Sequence, residues 1–309
     1  MKYSFVLPAY KARFFREAID SILTQTYKEF ELIIVNDASP EDLSSIVNSY
    51  DDSRIRYYIN NQNVGGKDLV AQWNHCLTFA AGDYIILASD DDIYFPEYLA
   101  EMDKLINKYP QVDIFRPRVQ KINDRGEIIA IECPMKEYSS LYEFLYAKQH
   151  NYNFSGIPYY VIKRASLMEL QGFVNYPLAW YSDDATITNL AGNGVVSSQH
   201  ILFSFRFSGE SISTRENDRI TLQKKIEACL MFYGWLSPFI LTMPLFGEYD
   251  QFYRDRLLRG SIEKRRSDFQ ECLICSSLIA IISNIRVILN AKILPLRTLI
   301  AVILRKFFS

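Results

Sequence analysis

Two apolar patterns alternate along the first 116 positions. Residues 4–7, 31–36 (ELIIVN), 55–59, 83–88 (DYIILA) and 112–116 are short apolar runs, too brief for helices, and predict strands. Between them, residues 14–26 place Phe15, Ala18, Ile19, Ile22 and Leu23 at helical spacing. Residues 40–50, 67–80 and 97–108 also read as helices. Strands separated by helices of this length need right-handed crossovers, and so a largely parallel sheet covered on both faces. Runs without alternation fit strands buried on both sides. The predicted fold class is α/β.

Residues 119–215 are less regular. Gly126, following Asp124 and Arg125, predicts a hairpin turn. Gly156, Pro158, Gly172 and Pro177 punctuate short elements, and residues 182–191 predict a helix. From about Asp218 the pattern is helical. Residues 272–285 are 14 uncharged positions, short of the ~20 that span a bilayer. Arg286, Lys292, Arg297, Arg305 and Lys306 follow with no acidic residue. Apolar helices studded with cations predict a membrane-surface element over 270–309. The competing reading is a segment docked on the rest of the protein or at a homodimer interface.

Composition removes several classes. Lys plus Arg number 34 and Asp plus Glu 36, so no global charge draws the chain to nucleic acid. Five cysteines, an odd number without regular spacing, argue against a secreted disulfide framework. Cys272 and Cys275 form a C-x-x-C without the second pair a zinc ribbon needs, so packing is expected of them. The apolar run at residues 3–7 stops at Pro8 and is followed by Lys11 and Arg13, unlike a signal peptide. A cytoplasmic location is expected.

Candidate chemistry gathers at strand ends, where open α/β sheets bind ligands. Pro8, Ala9 and Tyr10 follow the first strand, Asp37 the second, and Asp90, Asp91 and Asp92 the fourth. One Asp there would suit the dipole of the helix that follows, but three adjacent carboxylates repel one another. A hard divalent cation, Mg²⁺ or Mn²⁺, relieves that repulsion. No G-x-G-x-x-G or G-x-x-x-x-G-K-[ST] is present, so dinucleotide oxidoreductases and P-loop NTPases lose their main support. The loop Asn63-Val64-Gly65-Gly66-Lys67 opens a helix, either as an ordinary turn or as a backbone contact to phosphate. Asp183 and Asp184 follow Trp180-Tyr181-Ser182. They read as a helix cap by Ser182 or Asp183, or as a carboxylate that takes a proton from a hydroxyl.

Over residues 3–215 these motifs resemble the family 2 inverting glycosyltransferases with the GT-A fold. The resemblance is carried by VLPAY, SILTQTYKEFELIIVNDAS, AAGDYIILASDDDIYFPEYL and a later GF followed by an acidic pair. It implies a nucleoside diphosphate sugar donor, most simply a UDP-sugar, with Pro8, Ala9, Tyr10, Asp37 and Lys67 at the nucleotide. It implies Asp90 at the ribose or metal shell, Asp91 as principal metal ligand and Asp92 beside it. It makes Asp184 the catalytic base and puts Asp183 at the Glu position of the family's Glu-Asp pair. Arg206 would steady the diphosphate or pair with an acid. The acceptor would be a glycan or lipid-linked glycan, as in cell-surface polysaccharide synthesis.

The chain also departs from the family. Ser89 stands where the D-S-D-D motif begins, Trp73 where many members carry Arg, and Ser208 where a His can bind metal. The implied division is a catalytic domain over 1–217, with its nucleotide half at about 1–118 and acceptor half at about 119–217, then a helical region over 218–309. A metal-dependent nucleotidyltransferase is the first alternative, although PAYKARF lacks the Gly-rich loop that class carries. A nucleotide-sugar-binding subunit without turnover is the second.

Overall fold

The computed structural model describes residues 2–207 and 216–308. Its N-terminal half is built from β1 (Tyr3–Ala9), α1 (Phe15–Leu23), β2 (Phe30–Asn36), α2 (Leu43–Val47), β3 (Ile55–Ile59), α3 (Leu69–Leu77) and β4 (Tyr84–Leu87). Then come β5 (Ile93–Tyr94), α4 (Tyr98–Lys108), β6 (Ile114–Ile122), β7 (Ile128–Ile131) and β8 (Tyr138–Ser139). The middle holds α5 (Leu141–Gln149), β9 (Val161–Lys163), α6 (Arg164–Glu169), α7 (Ser182–Leu190) and β10 (Val195–Arg206). The helices α8 (Arg219–Thr242), α9 (Asp250–Ile274), α10 (Leu278–Ser283), α11 (Ile285–Ala291) and α12 (Leu296–Phe308) complete it.

One sheet runs β3-β2-β1-β4-β9-β6-β10-β5, with β7 on β6 and β8 on β10. The β3-β2-β1-β4 half is parallel, as the alternating pattern predicts. Every residue of β2 is buried, and α1 buries Phe15, Ala18, Ile19 and Ile22. The one acid inside β2, Glu31, is satisfied by the Ser4 hydroxyl (2.6 Å), Arg56 (2.8 Å) and the Ala81 N–H (2.8 Å). Buried charge persists only with such partners.

The second half of the sheet is mixed. The three-residue β9 runs antiparallel to both β4 and β6. The strand predicted over 112–116 continues to Ile122, and the predicted hairpin joins it to β7, with Gly126 at φ 79°. Pro117 lies inside this strand and has no N–H to give. The β6–β10 register jumps from Arg116↔Ser197 to Arg118↔Ile201, so the bulge in β10 falls opposite the proline.

The helices from Arg219 onward pack on the sheet domain and on one another. A second apolar core joins Leu222, Ile226 and Phe232 of α8 to Phe269 and Leu273 of α9 and to Ile281, Ile288, Leu299 and Val302. Asp218 caps α8 by accepting from the Thr221 N–H at 2.7 Å. Among the described residues no helix is long and apolar enough to cross a membrane.

Candidate active site

The parallel half of the sheet delivers its strand ends to one edge, where the acid loop sits. Asp90 accepts from the backbone N–H groups of Tyr10 (3.0 Å) and Lys11 (2.9 Å), which ties the loop after β4 to the loop after β1. Burial, offset in part by those N–H groups and reinforced by the charge on Asp91, pushes the Asp90 carboxyl up to about 6. Asp92 is fully enclosed. Its Oδ1 accepts from the Arg206 N–H at 2.8 Å, while Oδ2 is buried with no partner. Burial and the charge on Asp91 raise its carboxyl well above the ordinary range. Asp91 is half-buried and receives the Ser89 hydroxyl.

The three carboxylates therefore face different ways, and among the described residues no three His, Cys, Asp or Glu side chains form a metal cage. The fit is to a cation held by one or two carboxylates and completed by phosphate oxygens. Asp90 and Asp91 are both half-buried rather than enclosed, so the oxygens of that set would come from them. The Asp92 Oδ2, buried without a partner, is the observation in this loop that fits a cation.

Arg206 fastens this loop. Its Nε donates to the Asp91 carbonyl (2.8 Å), one terminal nitrogen to Glu17 (2.7 Å) and the other to the Asn123 carbonyl (3.3 Å). Its guanidinium also lies over the Phe14 ring, 4.0 Å from the centroid. Of the two sequence readings, the pairing with an acid is present here. Ser208 lies outside the described residues.

Asp37, at the end of β2, is buried under the loop that precedes α3. It accepts from the N–H groups of Val64 (2.9 Å) and Gly65 (2.7 Å) and from Asn60 (2.8 Å). A Cβ on Gly65 would sit 2.9 Å from Asp37 Oδ2, so a side chain there would push this carboxylate away from the Gly65 N–H. Two N–H groups of the glycine loop thus serve Asp37. Lys67 is exposed beyond them, and Tyr10 presents its ring at the surface beside the same edge.

The acidic pair belongs to a separate wall. Asn74 of α3 clasps Phe173, accepting from its N–H (2.7 Å) and donating to its carbonyl (3.1 Å). Gly172, at φ 97°, leaves room for that side chain. The chain then turns through Leu178 (φ 61°), Ala179 (φ 57°) and Tyr181 (φ 66°) into α7. Left-handed conformations at three non-glycine residues, one of them a tyrosine, are costly and need outside support. The C-terminal helices supply it. The Tyr181 ring stacks on Phe232 of α8 at 4.7 Å, and its hydroxyl donates to Asp268 of α9 at 3.1 Å.

Neither proposed cap forms at the start of α7. The Ser182 hydroxyl accepts from the Tyr176 N–H, and Asp183 accepts from the Asp184 N–H. Asp184 pairs with Lys148 of α5, which sequence reading missed. Burial alone would discharge that lysine, but the Asp184 carboxylate outweighs it and holds the ammonium above its ordinary value. Burial and the charge on Asp184 push the Asp183 carboxyl up to about 7.

Asp184 and Lys148 line a cavity of about 430 Å³ whose remaining wall comes largely from α8 and α9. Trp180, Tyr181, Phe232, Tyr233, Leu236 and Ile240 give it an apolar face, and Lys264 and Asp268 a charged end. Phe207, the residue after the Arg206 fastener, also lines it, so the cavity approaches the acid loop. Its size and its mixture of rings with a few charged groups suit a small-molecule site.

Comparisons with known proteins bear on the family and the fold. The family model "Glycosyl transferase family 2" matches residues 4–169, more than half of the chain. The chain belongs to glycosyl transferase family 2. It is 35% identical over 112 residues to an uncharacterised glycosyltransferase of Rickettsia typhi, an alignment covering 36% of this chain and 34% of that protein. It is 31% identical over 137 residues to protein CgeD of Bacillus subtilis, covering 42% and 32%. The matched segments thus span about a third of these curated relatives.

Among solved structures, S. aureus TarS 1-349 in complex with UDP-GlcNAc superposes with a TM-score of 0.68 at 16% identity, covering 98% of this chain and 90% of that one. The mannosyltransferase PcManGT from Pyrobaculum calidifontis, in complex with GDP-Man and Mn²⁺, gives 0.54 at 16% identity over 99% and 87%. These likenesses show a shared GT-A fold that extends into the helical C-terminal region.

Proposed function

We propose that this protein is an inverting, metal-dependent glycosyltransferase. It moves a sugar from a nucleoside diphosphate sugar, a UDP-sugar in the first instance, to a hydroxyl of a glycan or lipid-linked glycan, as in cell-surface polysaccharide synthesis. The observation that carries this reading is the placement of Asp184, ion-paired to Lys148 on the wall of a small-molecule cavity that approaches the acid loop. Family membership and the nucleotide-sugar complexes of similarly folded proteins support it.

In this reading residues 1–118 form the donor half, and residues 119–217 together with α8 and α9 wall the acceptor cavity. The nucleotide lies along the strand ends by Pro8, Ala9, Tyr10, Asp37 and Lys67, with Asp90 toward the ribose. Mg²⁺ or Mn²⁺, held by Asp91 with Asp92 and Asp90 close by, would neutralise charge on the departing diphosphate. The acceptor oxygen attacks the anomeric carbon as the bond from that carbon to the diphosphate oxygen breaks. Asp184 takes the hydroxyl proton, and the nucleoside diphosphate leaves from the opposite face. A single displacement inverts the configuration. Lys148 compensates the Asp184 charge within the enclosed wall, and Arg206 keeps the acid loop in register.

The test is incubation of the purified chain with UDP- and GDP-sugars, with and without Mn²⁺, reading released nucleoside diphosphate. Release that requires the metal and one donor supports the proposal. Tight nucleotide-sugar binding without release under any condition would instead establish the binding-subunit alternative.

A further inference from the structure

The outward face of α10–α12 has no role in the donor site or the cavity, and its chemistry is unlike the rest of the surface. Inward, Ala280, Ile281, Ile288, Ile293, Leu299 and Val302 close the second core. Outward, Ile279 (77% exposed), Ile282, Leu289, Leu296 (63%), Ile300 and Leu304 face solvent. On α12 the residues Leu296, Ile300 and Leu304 fall four apart, a single stripe on a 3.6-residue helix. Arg297 and Arg305 are exposed one position beyond two of them.

Charge is segregated in the same segment. Residues 277–309 carry five Lys and Arg and no Asp or Glu, while the whole chain stands at −2, which leaves −7 on residues 1–276. We infer that this face docks on an anionic lipid bilayer surface, with the apolar stripe at the acyl boundary and the arginines among the headgroups.

Two physical arguments select that occupant. An apolar stripe with adjoining cations and no acids is the arrangement of helices that lie in the membrane interface, where long basic side chains reach the headgroup layer. A second copy of the chain is the obvious rival. A twofold dimer through this face would bring the same patch together from both copies and set its cations against each other. Among the described residues no helix is long and apolar enough to cross a membrane; α12 as described has 13 residues, about 20 Å at 1.5 Å per residue, against a hydrocarbon core of about 30 Å.

The experiment is co-sedimentation of the full chain with phosphatidylcholine vesicles, pure or containing about 30% phosphatidylglycerol, at low and high salt. The expected result is binding to the anionic vesicles that falls as salt rises. Arg297→Gln with Arg305→Gln should weaken it about 25-fold, taking roughly fivefold per cation removed. Leu296→Ser, Ile300→Ser and Leu304→Ser together should weaken it comparably, with an unchanged melting temperature because these side chains face outward. Equal binding to neutral and anionic vesicles overturns the inference, as does full retention by both variants. A wild-type dimer in light scattering that the serine variant converts to monomer, without vesicle binding, overturns it in favour of self-association.

Discussion

Lys148 and Asp184 meet as a largely buried ion pair, although 36 positions separate them along the chain and they come from different helices, α5 and α7. The pair lines the cavity, and Asp183 adds a second carboxyl whose charge interacts with Asp184. Two acids and one cation in an enclosed wall make an arrangement that is neutral only while one carboxyl holds a proton. That balance generates the first two predictions.

Asp184→Asn keeps the shape of the wall and removes the proposed proton acceptor. Turnover should fall about 10²- to 10⁴-fold, the range for general-base catalysis, while nucleotide affinity stays within twofold or so. Lys148→Met should destabilise the fold by about 3–5 kcal/mol, because it leaves a buried carboxylate without its cation. Combining it with Asp184→Asn should restore most of that loss. Urea unfolding of the two single variants and the double variant reads this directly. Additive losses in the double variant would show that the two groups are not coupled.

Asp183 sets a pH dependence. Its folded carboxyl is raised to about 7, above the ordinary Asp value near 4, so the native state holds this proton more tightly than the unfolded chain. The stability it contributes is complete below the unfolded value and disappears as pH rises through about 7. Asp183→Asn mimics the protonated form at every pH. Its melting temperature should gain on the wild type at pH 8 by at least about 1.5 °C, what 1 kcal/mol is worth at about 2.1 cal/mol/K per residue over a chain of this length, and gain little at pH 4. A gain that is the same at both pH values would mean the carboxyl is not raised.

Arg206 gives a contrast between two ends of one interaction. Its guanidinium is buried and hydrogen-bonded to the Asp91 carbonyl, whereas its partner Glu17 is half exposed. Arg206→Lys cannot reproduce the fork of donors and should cost about 1.5–3 kcal/mol and raise the KM for the donor as the acid loop loosens. Glu17→Gln removes only a solvent-screened charge and should cost under about 1 kcal/mol. Loop loosening predicts that excess Mn²⁺ recovers part of the donor KM in Arg206→Lys. No recovery would place the arginine's effect elsewhere.

The parallel half of the fold was legible because β1, β2 and β4 are mostly apolar runs buried along their length and α1 is a 3.6-residue pattern with Phe15, Ala18, Ile19 and Ile22 all buried. The edge strand β3, with Arg56 and Ile59 exposed, follows that pattern less closely. Helix limits were read too wide. Residues 40–50 contain only Leu43–Val47 as helix, since Asp42 caps it by accepting from the Ser45 N–H. The mixed half was harder: β9 has three residues, and its neighbours lie far away in sequence. Helix α5 did leave a signal, the Ser140–Glu143 capping box, which forms as that spacing allows. The acid loop and Asp184 were found by pattern and family likeness. Lys148 was not, because a lysine near the end of a helix looks like any solvated lysine until the fold brings an aspartate to it. The C-terminal helices were read as a choice between docking and a membrane surface. That choice concerned residues 270–309, whose Ile281, Ile288, Leu299 and Val302 pack into the second core with α8 and α9.

The stacking of Tyr181 on Phe232 carries the last prediction. If the cavity between α7, α8 and α9 admits the acceptor, filling it should block transfer without touching the donor. Leu236 of α8 lines the cavity and is half-buried, so a larger ring there has the cavity to grow into. Leu236→Trp should raise the acceptor KM or abolish transfer, and leave metal-dependent nucleotide affinity and the slow hydrolysis of donor by water unchanged. Hydrolysis survives because water still reaches Asp184, whereas a sugar-sized acceptor does not. The measurement compares released nucleoside diphosphate with and without acceptor. Loss of hydrolysis and transfer together, with normal folding, would mean that the cavity serves the donor and that the acceptor enters from another side.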